Sequence, residues 1–326
     1  MAVSESASDN VLTTQHLPRG HSHGRENPDG RVTLFWYPSR RADRGEFAGC
    51  VVCAVVACLL PAYARATDSD KVRILFPAYG NPHHAAGREM WEKLCQLSHD
   101  RPEGLEIDVI FNPASGPGKA RDPNYLRDDG SGPLADAQGL RIVGYVTTAY
   151  AKRPAEDVRA EIDRYATGFY AGYVSGIFFD ETSSDLNTAP YYRALSQYAH
   201  SAIKPSHGRR VITISNPGIG EVQAPVTQQQ LQAYATAMDR TVVFENAAER
   251  YMESKAVAIQ PFLSADNLVH IMHTQASWSP DLVTAIRQRG AANLFITDDV
   301  MQNPYDRLPV YFDQLCDSVA AANRSQ

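Results

Sequence analysis

The chain has 326 residues, 44% of them hydrophobic and 21% charged, with a formal charge of -6. This is the balance of a globular protein with a sizeable core, and five cysteines over that length are too few for a disulfide scaffold. The negative charge supplies no basic field for nucleic acid or an anionic membrane, so a neutral or cationic partner fits better.

Residues 1–39 are polar, with scattered Gly, Pro and His and no sustained periodicity, and read as a disordered leader or an over-extended start. Translation from near Val32 or later is expected. Arg40, Arg41 and Arg44 then precede an apolar run from Phe47 to Leu60, followed by Ala62-Tyr63-Ala64-Arg65-Ala66. A basic stretch, an apolar core and an A-x-A-like site over 40–66 read as a secretory signal, too short for a comfortable membrane span. A buried N-terminal helix is the plain alternative. Val55-Val56-Ala57-Cys58 also fits a lipoprotein cleavage box loosely, but Leu59-Leu60 follows it directly. The expectation is a secreted, cell-surface or periplasmic protein with no transmembrane span once the signal is removed.

From Thr67 onward, eight short apolar runs each end in polar or turn residues and lead into a helix-like stretch. They are Val72–Pro77, Ile107–Phe111, Leu140–Val146, Gly176–Phe179, Val211–Ile214, Thr241–Phe244, Leu268–Met272 and Asn293–Ile296. Helical faces follow around Trp91 and Leu94, around Val158, Ile162 and Tyr165, and around Tyr191, Leu195 and Tyr198, with a last helix over about 308–321. The runs start every 25 to 36 residues, as β-loop-α-loop units do, without a matching sequence repeat. Together they predict a single (β/α)8 TIM-type barrel over 67–326. An open doubly wound sheet is the competing fold, but it has fewer units and a phosphate loop after its first strand. In a closed barrel the first and last helices are neighbours, so Cys95 and Cys316 could approach; a disulfide and two separate buried thiols both stay open.

Barrel enzymes work where their strands end. Those ends supply Tyr79, Asn112, Tyr145, Thr147, Asp180, Glu181, Asn216, Glu245, His273 and Asp298. Carboxylates and amides bond sugar hydroxyls, aromatic rings stack on sugar faces, and acids on the fourth and sixth strands could flank one glycosidic bond. Each residue has a plainer reading. Asp180, Glu181 or Asp298 could cap a helix, Tyr79 and Tyr145 could be core rings, and Asn112 and Asn216, each before Pro, form turns.

Other chemistries fit less well. Asn112-Pro-Ala-Ser-Gly-Pro-Gly118-Lys119-Ala120 lacks the first Gly and the final Ser/Thr of a P-loop, and Gly218-Ile-Gly220 lacks the third dinucleotide glycine. No Gly-x-Ser-x-Gly elbow occurs. His270 and His273 sit on a strand end, and His83-His84 have no carboxylate partner, so neither pair makes a zinc site. No metal and no cofactor are expected.

Several motifs in order carry a family resemblance: Pro77-Ala-Tyr79 with Pro82 and Trp91; Asn112 to Gly118 with Asn124-Tyr125; and Gly144-Tyr145-Val146-Thr147 with Tyr150-Ala151. Gly176 to Glu181, Asn216-Pro-Gly218, Val243-Phe244-Glu245, and Ile296-Thr-Asp298-Asp299 with Leu308-Pro309 complete the set. The chain resembles the spherulin-4-like (spherulation-specific family 4) proteins of glycoside hydrolase family 135, over residues 72–312. The resemblance implies a (β/α)8 barrel and endo-acting cleavage of α-1,4-linked N-acetylgalactosamine polymers such as secreted galactosaminogalactan. By motif, its acidic residues fall on Asp180, Glu181 and Glu245.

The expected function is therefore an exported endo-acting hydrolase of an amino-sugar polysaccharide, acting as a monomer. Asp180 is expected as nucleophile or base and Glu245 as general acid, with Glu181 second for either role. Tyr79, Asn112, Tyr145, Thr147, Asn216, His273 and Asp298 would shape the sugar subsites. A catalytically silent carbohydrate-binding barrel predicts the same groove and differs only in not needing the acids. A lyase or esterase lacks its nucleophilic Ser or metal cluster.

Overall fold

The computed structural model describes residues 71–204, 208–218 and 226–325; the leader over 1–39 and the signal-like segment over 40–66, with Cys58, lie outside the described residues. Eight strands form a closed parallel barrel: β1 (Arg73–Ala78), β2 (Ile107–Phe111), β3 (Arg141–Thr147), β4 (Gly176–Asp180), β5 (Ile212–Ser215), β6 (Arg240–Ala247), β7 (Leu268–His273) and β8 (Asn293–Ile296). Each pairs with the next in sequence, and Arg73 and Ile74 of β1 pair with Asn293 and Leu294 of β8 to close the ring. The open-sheet alternative is thereby removed. These strands are apolar on consecutive residues because one face fills the barrel and the other lies under helices. Within β4, for example, Gly176 through Phe179 are all buried.

The outer layer holds α1 (Ala85–His99), α2 (Pro133–Asp136), α3 (Ala155–Ala166), α4 (Ala189–Ala202), α5 (Gln228–Ala235), α6 (Asp281–Gln288) and α7 (Phe312–Arg324). The inner stripe of α1 is Met90, Trp91, Leu94 and Leu97, at the spacing of one helical face. Burying each such side chain contributes roughly 1.5–3 kcal/mol. Val158, Ile162 and Tyr165 form the inner stripe of α3, as the periodicity predicts. In α4 the buried face is Tyr192, Leu195 and Ala199, one residue round from the expected Tyr191 and Tyr198, which are half-buried. The last helix begins at Phe312 and not near Leu308, because Pro309 and a bond from Val310 N–H to Asp298 hold the preceding residues in a loop.

Two crossovers depart from the expected pattern. Between β2 and β3 the only α-helix is the four-residue α2, since Pro113, Gly116, Pro117 and Gly118 break the chain after β2. Between β6 and β7 there is no α-helix, only 3-10 turns at Ala248–Arg250, Gln260–Phe262 and Ala265–Asn267. Pro261 interrupts that segment, and Tyr251 takes the place of a helix by packing on Phe244 and His270 of the barrel wall.

One glycine positions the site directly. A Cβ on Gly144 would stand 2.7 Å from the Tyr165 ring, so only glycine lets α3 lie this close to β3. The Tyr165 hydroxyl then donates to the Tyr145 carbonyl at 3.1 Å and fixes that strand end.

The opposite end of the barrel is closed by charge. Asp108 accepts from Arg240 at 2.7 Å and from Arg141 at 3.1 Å, while Asp266 accepts from Arg73 at 2.5 Å and Arg240 at 3.4 Å. Asp108 and Arg240 are each 4% exposed. Burial alone would raise the Asp108 carboxyl, but Arg240 and Arg141 outweigh it and hold it below the usual carboxylate range.

Helices α1 and α7 are neighbours, joined by Lys93 and Asp313 at 2.7 Å, yet Cys95 and Cys316 are free thiols. Burial pushes them up to about 11 and about 12, so neither is a thiolate at neutral pH.

Candidate active site

The loops after the strands gather one polar cluster. Asp180 ends β4 and turns its carboxylate toward the neighbouring strands, where Oδ2 accepts from the Tyr145 hydroxyl at 2.6 Å and Oδ1 from Asn216 Nδ2 at 2.9 Å. The same Asn216 nitrogen donates to Glu245 Oε2 at 2.6 Å. Both oxygens meet at one nitrogen, so contacts of 2.9 and 2.6 Å keep them no more than about 5.5 Å apart. Glu245 Oε1 accepts from the Tyr305 hydroxyl at 2.5 Å.

Tyr305 was not legible among the strand ends, because it lies on the loop between β8 and α7 and reaches back across the barrel mouth. Its carbonyl accepts from Tyr79 N–H at 3.1 Å, and its ring meets the Tyr79 ring edge-on at 5.6 Å. Tyr79 meets Tyr145 edge-on at 5.7 Å, which links the two carboxylate–phenol pairs. No described residue hydrogen-bonds the Tyr79 hydroxyl, whereas those of Tyr145 and Tyr305 are committed to the acids.

Burial raises both carboxyls. Donation from Tyr145, Asn216 and the Glu181 N–H opposes the rise at Asp180, and donation from Tyr305 and Asn216 opposes it at Glu245, where the Asp180 charge adds to it. Both acids are thus pushed in the direction that suits a general acid, with the phenols and Asn216 limiting the rise. Burial and these acids also keep the phenols of Tyr79, Tyr145 and Tyr305 protonated and able to donate.

Glu181 stands apart from this cluster. Its backbone is left-handed, at φ 49°, and its side chain is exposed, with Oε2 accepting from Thr147 Oγ1 at 2.5 Å. Neither acid caps a helix: the cap after β4 is Asp185, which accepts from Asn187 N–H. Left-handed backbone in residues with a Cβ costs on the order of 1–2 kcal/mol each. All six such residues described, Ser115, Ala149, Tyr150, Ala151, Glu181 and Thr274, lie in loops at the strands' C-terminal ends.

The other strand-end residues take quieter places. Asn112 Oδ1 accepts from Gly116 N–H at 2.9 Å, the turn-forming role. His273 is buried beside Thr274, and burial lowers its pKa so that it stays neutral near pH 7. Both Asp298 oxygens are held by Arg307, at 3.2 and 3.1 Å, so this carboxylate anchors the loop that carries Tyr305. Among the described residues no cluster of three or more His, Cys, Asp or Glu could hold a metal ion. Beside Glu245, where β6 runs on without a helix, a cavity of about 800 Å³ opens between Gly218, Asn246, Arg250, Glu253 and Lys255.

Fold and site together define a (β/α)8 barrel with a paired-carboxylate centre at the C-terminal ends of its strands. The chain belongs to spherulation-specific family 4, whose model matches residues 73–319. Spherulin-4 of Physarum polycephalum is 29% identical over 269 residues, covering 79% of this chain and 73% of that protein. The crystal structure of Aspergillus clavatus Sph3 in complex with GalNAc is 28% identical, with a TM-score of 0.61, covering 77% of this chain and 98% of that one.

Proposed function

We propose that this protein is an exported endo-acting glycoside hydrolase that cleaves α-1,4-linked N-acetylgalactosamine or galactosamine chains with retention of configuration. The likeness to Sph3 and the family membership support a carbohydrate-active barrel, and the GalNAc bound to Sph3 supports the amino-sugar class. The signal-like segment over 40–66 supports export.

One observation carries the mechanism: a single amide nitrogen bonds both Asp180 and Glu245. With their nearest oxygens no more than about 5.5 Å apart, the two acids favour a retaining pair, at 5–5.5 Å, over an inverting one, at 6.5–9.5 Å. Asp180, steadied by Tyr145 and Asn216, attacks the anomeric carbon while Glu245 gives its proton to the departing glycosidic oxygen. The C–O bond to the leaving sugar breaks as the Asp180–carbon ester forms. Glu245, now ionised, takes a proton from water, which attacks the same carbon and releases Asp180. In an α-linked 2-acetamido sugar the acetamido group lies on the leaving group's side, so it cannot displace from behind, and retention needs a protein nucleophile. Glu181, tied to Thr147 at the rim, is the second candidate for either role.

The test incubates purified protein with α-1,4-linked galactosamine polymers of graded acetylation. Release of a ladder of oligosaccharides is expected. Retained polymer binding with no product from any of them would overturn the hydrolase and favour a silent binding barrel.

A further inference from the structure

The motif Tyr150-Ala151 has no part in the chemistry above, yet it sits in the longest left-handed run of non-glycine residues among those described. Ala149, Tyr150 and Ala151 are all left-handed, with φ of 46°, 58° and 63°. An aromatic residue in the middle of such a run is an outlier that the surroundings must enforce.

They do so from both sides. Tyr150 N–H donates to the Glu181 carbonyl at 2.6 Å, and Thr148 N–H to the Asp180 carbonyl at 3.0 Å. Thr148 Oγ1 adds a bond to the Glu181 carbonyl at 2.9 Å. On the other flank Arg153 donates to the Thr147 carbonyl at 2.7 Å and is clamped by Glu161 at 2.7 Å. The turn is thus fastened to the strand end that carries Asp180. Its product is a Tyr150 ring that is 53% exposed and whose hydroxyl meets no described residue. The other large apolar side chains exposed to this degree among the described residues are aliphatic: Met252, Val300, Met301 and Val310.

We infer that Tyr150 is a stacking platform for a hexosamine unit adjoining the one that is cleaved; this rests on the glycosidase reading above. The negative face of a phenol ring attracts the polarised C–H groups on the apolar face of a pyranose, and equally an unacetylated ammonium group. Its backbone N–H bond to the Glu181 carbonyl ties the turn to the residue that follows Asp180, on the face where the acids stand. A ring already held in place binds without losing rotational freedom in its backbone, which explains why strain is tolerated here.

The test measures KM and kcat on the polymer for Tyr150→Asn and Tyr150→Phe. Asparagine suits a left-handed backbone, so it removes the ring without unfolding the turn. Tyr150→Asn is expected to raise KM about fivefold with kcat within about twofold, and Tyr150→Phe to keep the wild-type KM. An unchanged KM in Tyr150→Asn, or an equal loss in Tyr150→Phe, would overturn the platform. Equilibrium binding of the same polymer to Asp180→Asn, with and without Tyr150→Asn, reads the platform independently of cleavage. Weaker binding in the double variant, with no wild-type cleavage, would sink the hydrolase and leave the platform standing.

Discussion

Replacing Asp180 with Asn is expected to lower kcat on the polymer by about 10³-fold or more, while the melting temperature at pH 7 stays level or rises. Asparagine keeps the shape, and its oxygen can still accept from Asn216. What it loses is the negative charge that attacks the anomeric carbon. The stability arm follows from the raised Asp180 carboxyl. A folded-state value above the unfolded one contributes stability below about pH 3.9, and that contribution is lost as pH rises through the folded value. A neutral side chain escapes this loss, so the variant's advantage grows from acid to neutral pH. Stability spent on function in this way is common at sites that enclose like charges. Activity equal to wild type would remove Asp180 from the chemistry, and a large fall in melting temperature would make it a structural carboxylate.

Asp108→Asn is expected to cost about 3–5 kcal/mol at pH 7, a fall in melting temperature on the order of 10 °C, with kcat little changed below that transition. The residue closes the barrel end remote from the site, and its loss leaves buried Arg240 with only the longer ion pair to Asp266 and half-buried Arg141 without its carboxylate. The pH dependence has the opposite sign to that at Asp180. Asp108 is held below its usual range, so its contribution is present above about pH 3.9 and fades as pH falls through the folded value. Urea unfolding across pH 3 to 8 should therefore show a wild-type advantage that shrinks toward acid. Equal unfolding midpoints at pH 7 would show that the arginines find other partners.

The barrel was legible because buried parallel strands announce themselves as apolar runs, and because their recurrence matches one β-loop-α unit. The crossovers were less so. Segments after β2 and β6 hold enough apolar residues to suggest helices, but Pro113, Pro117 and Pro261 and their flanking turns decide otherwise. The strand-end rule located the face and the residues that the structure draws together, Tyr79, Tyr145, Asp180, Asn216 and Glu245. It could not say what each would bond. Asp298 and Asn112 stand among the expected sugar ligands in sequence, and the structure adds that one holds Arg307 and the other closes a turn. Tyr305 was hidden for the converse reason: a loop residue's reach depends on how that loop folds back, which local pattern does not encode. Its only signal is an aromatic in the Pro-containing stretch beyond Asp298-Asp299.

The most direct test of the central claim, that Asp180 and Glu245 work as a retaining pair on one amide, is the anomeric configuration of the first product. Proton NMR of an α-1,4-linked amino-sugar oligomer during the earliest turnover, before mutarotation, reads it without any mutation. The α anomer appearing first is the predicted result; the β anomer appearing first would contradict it.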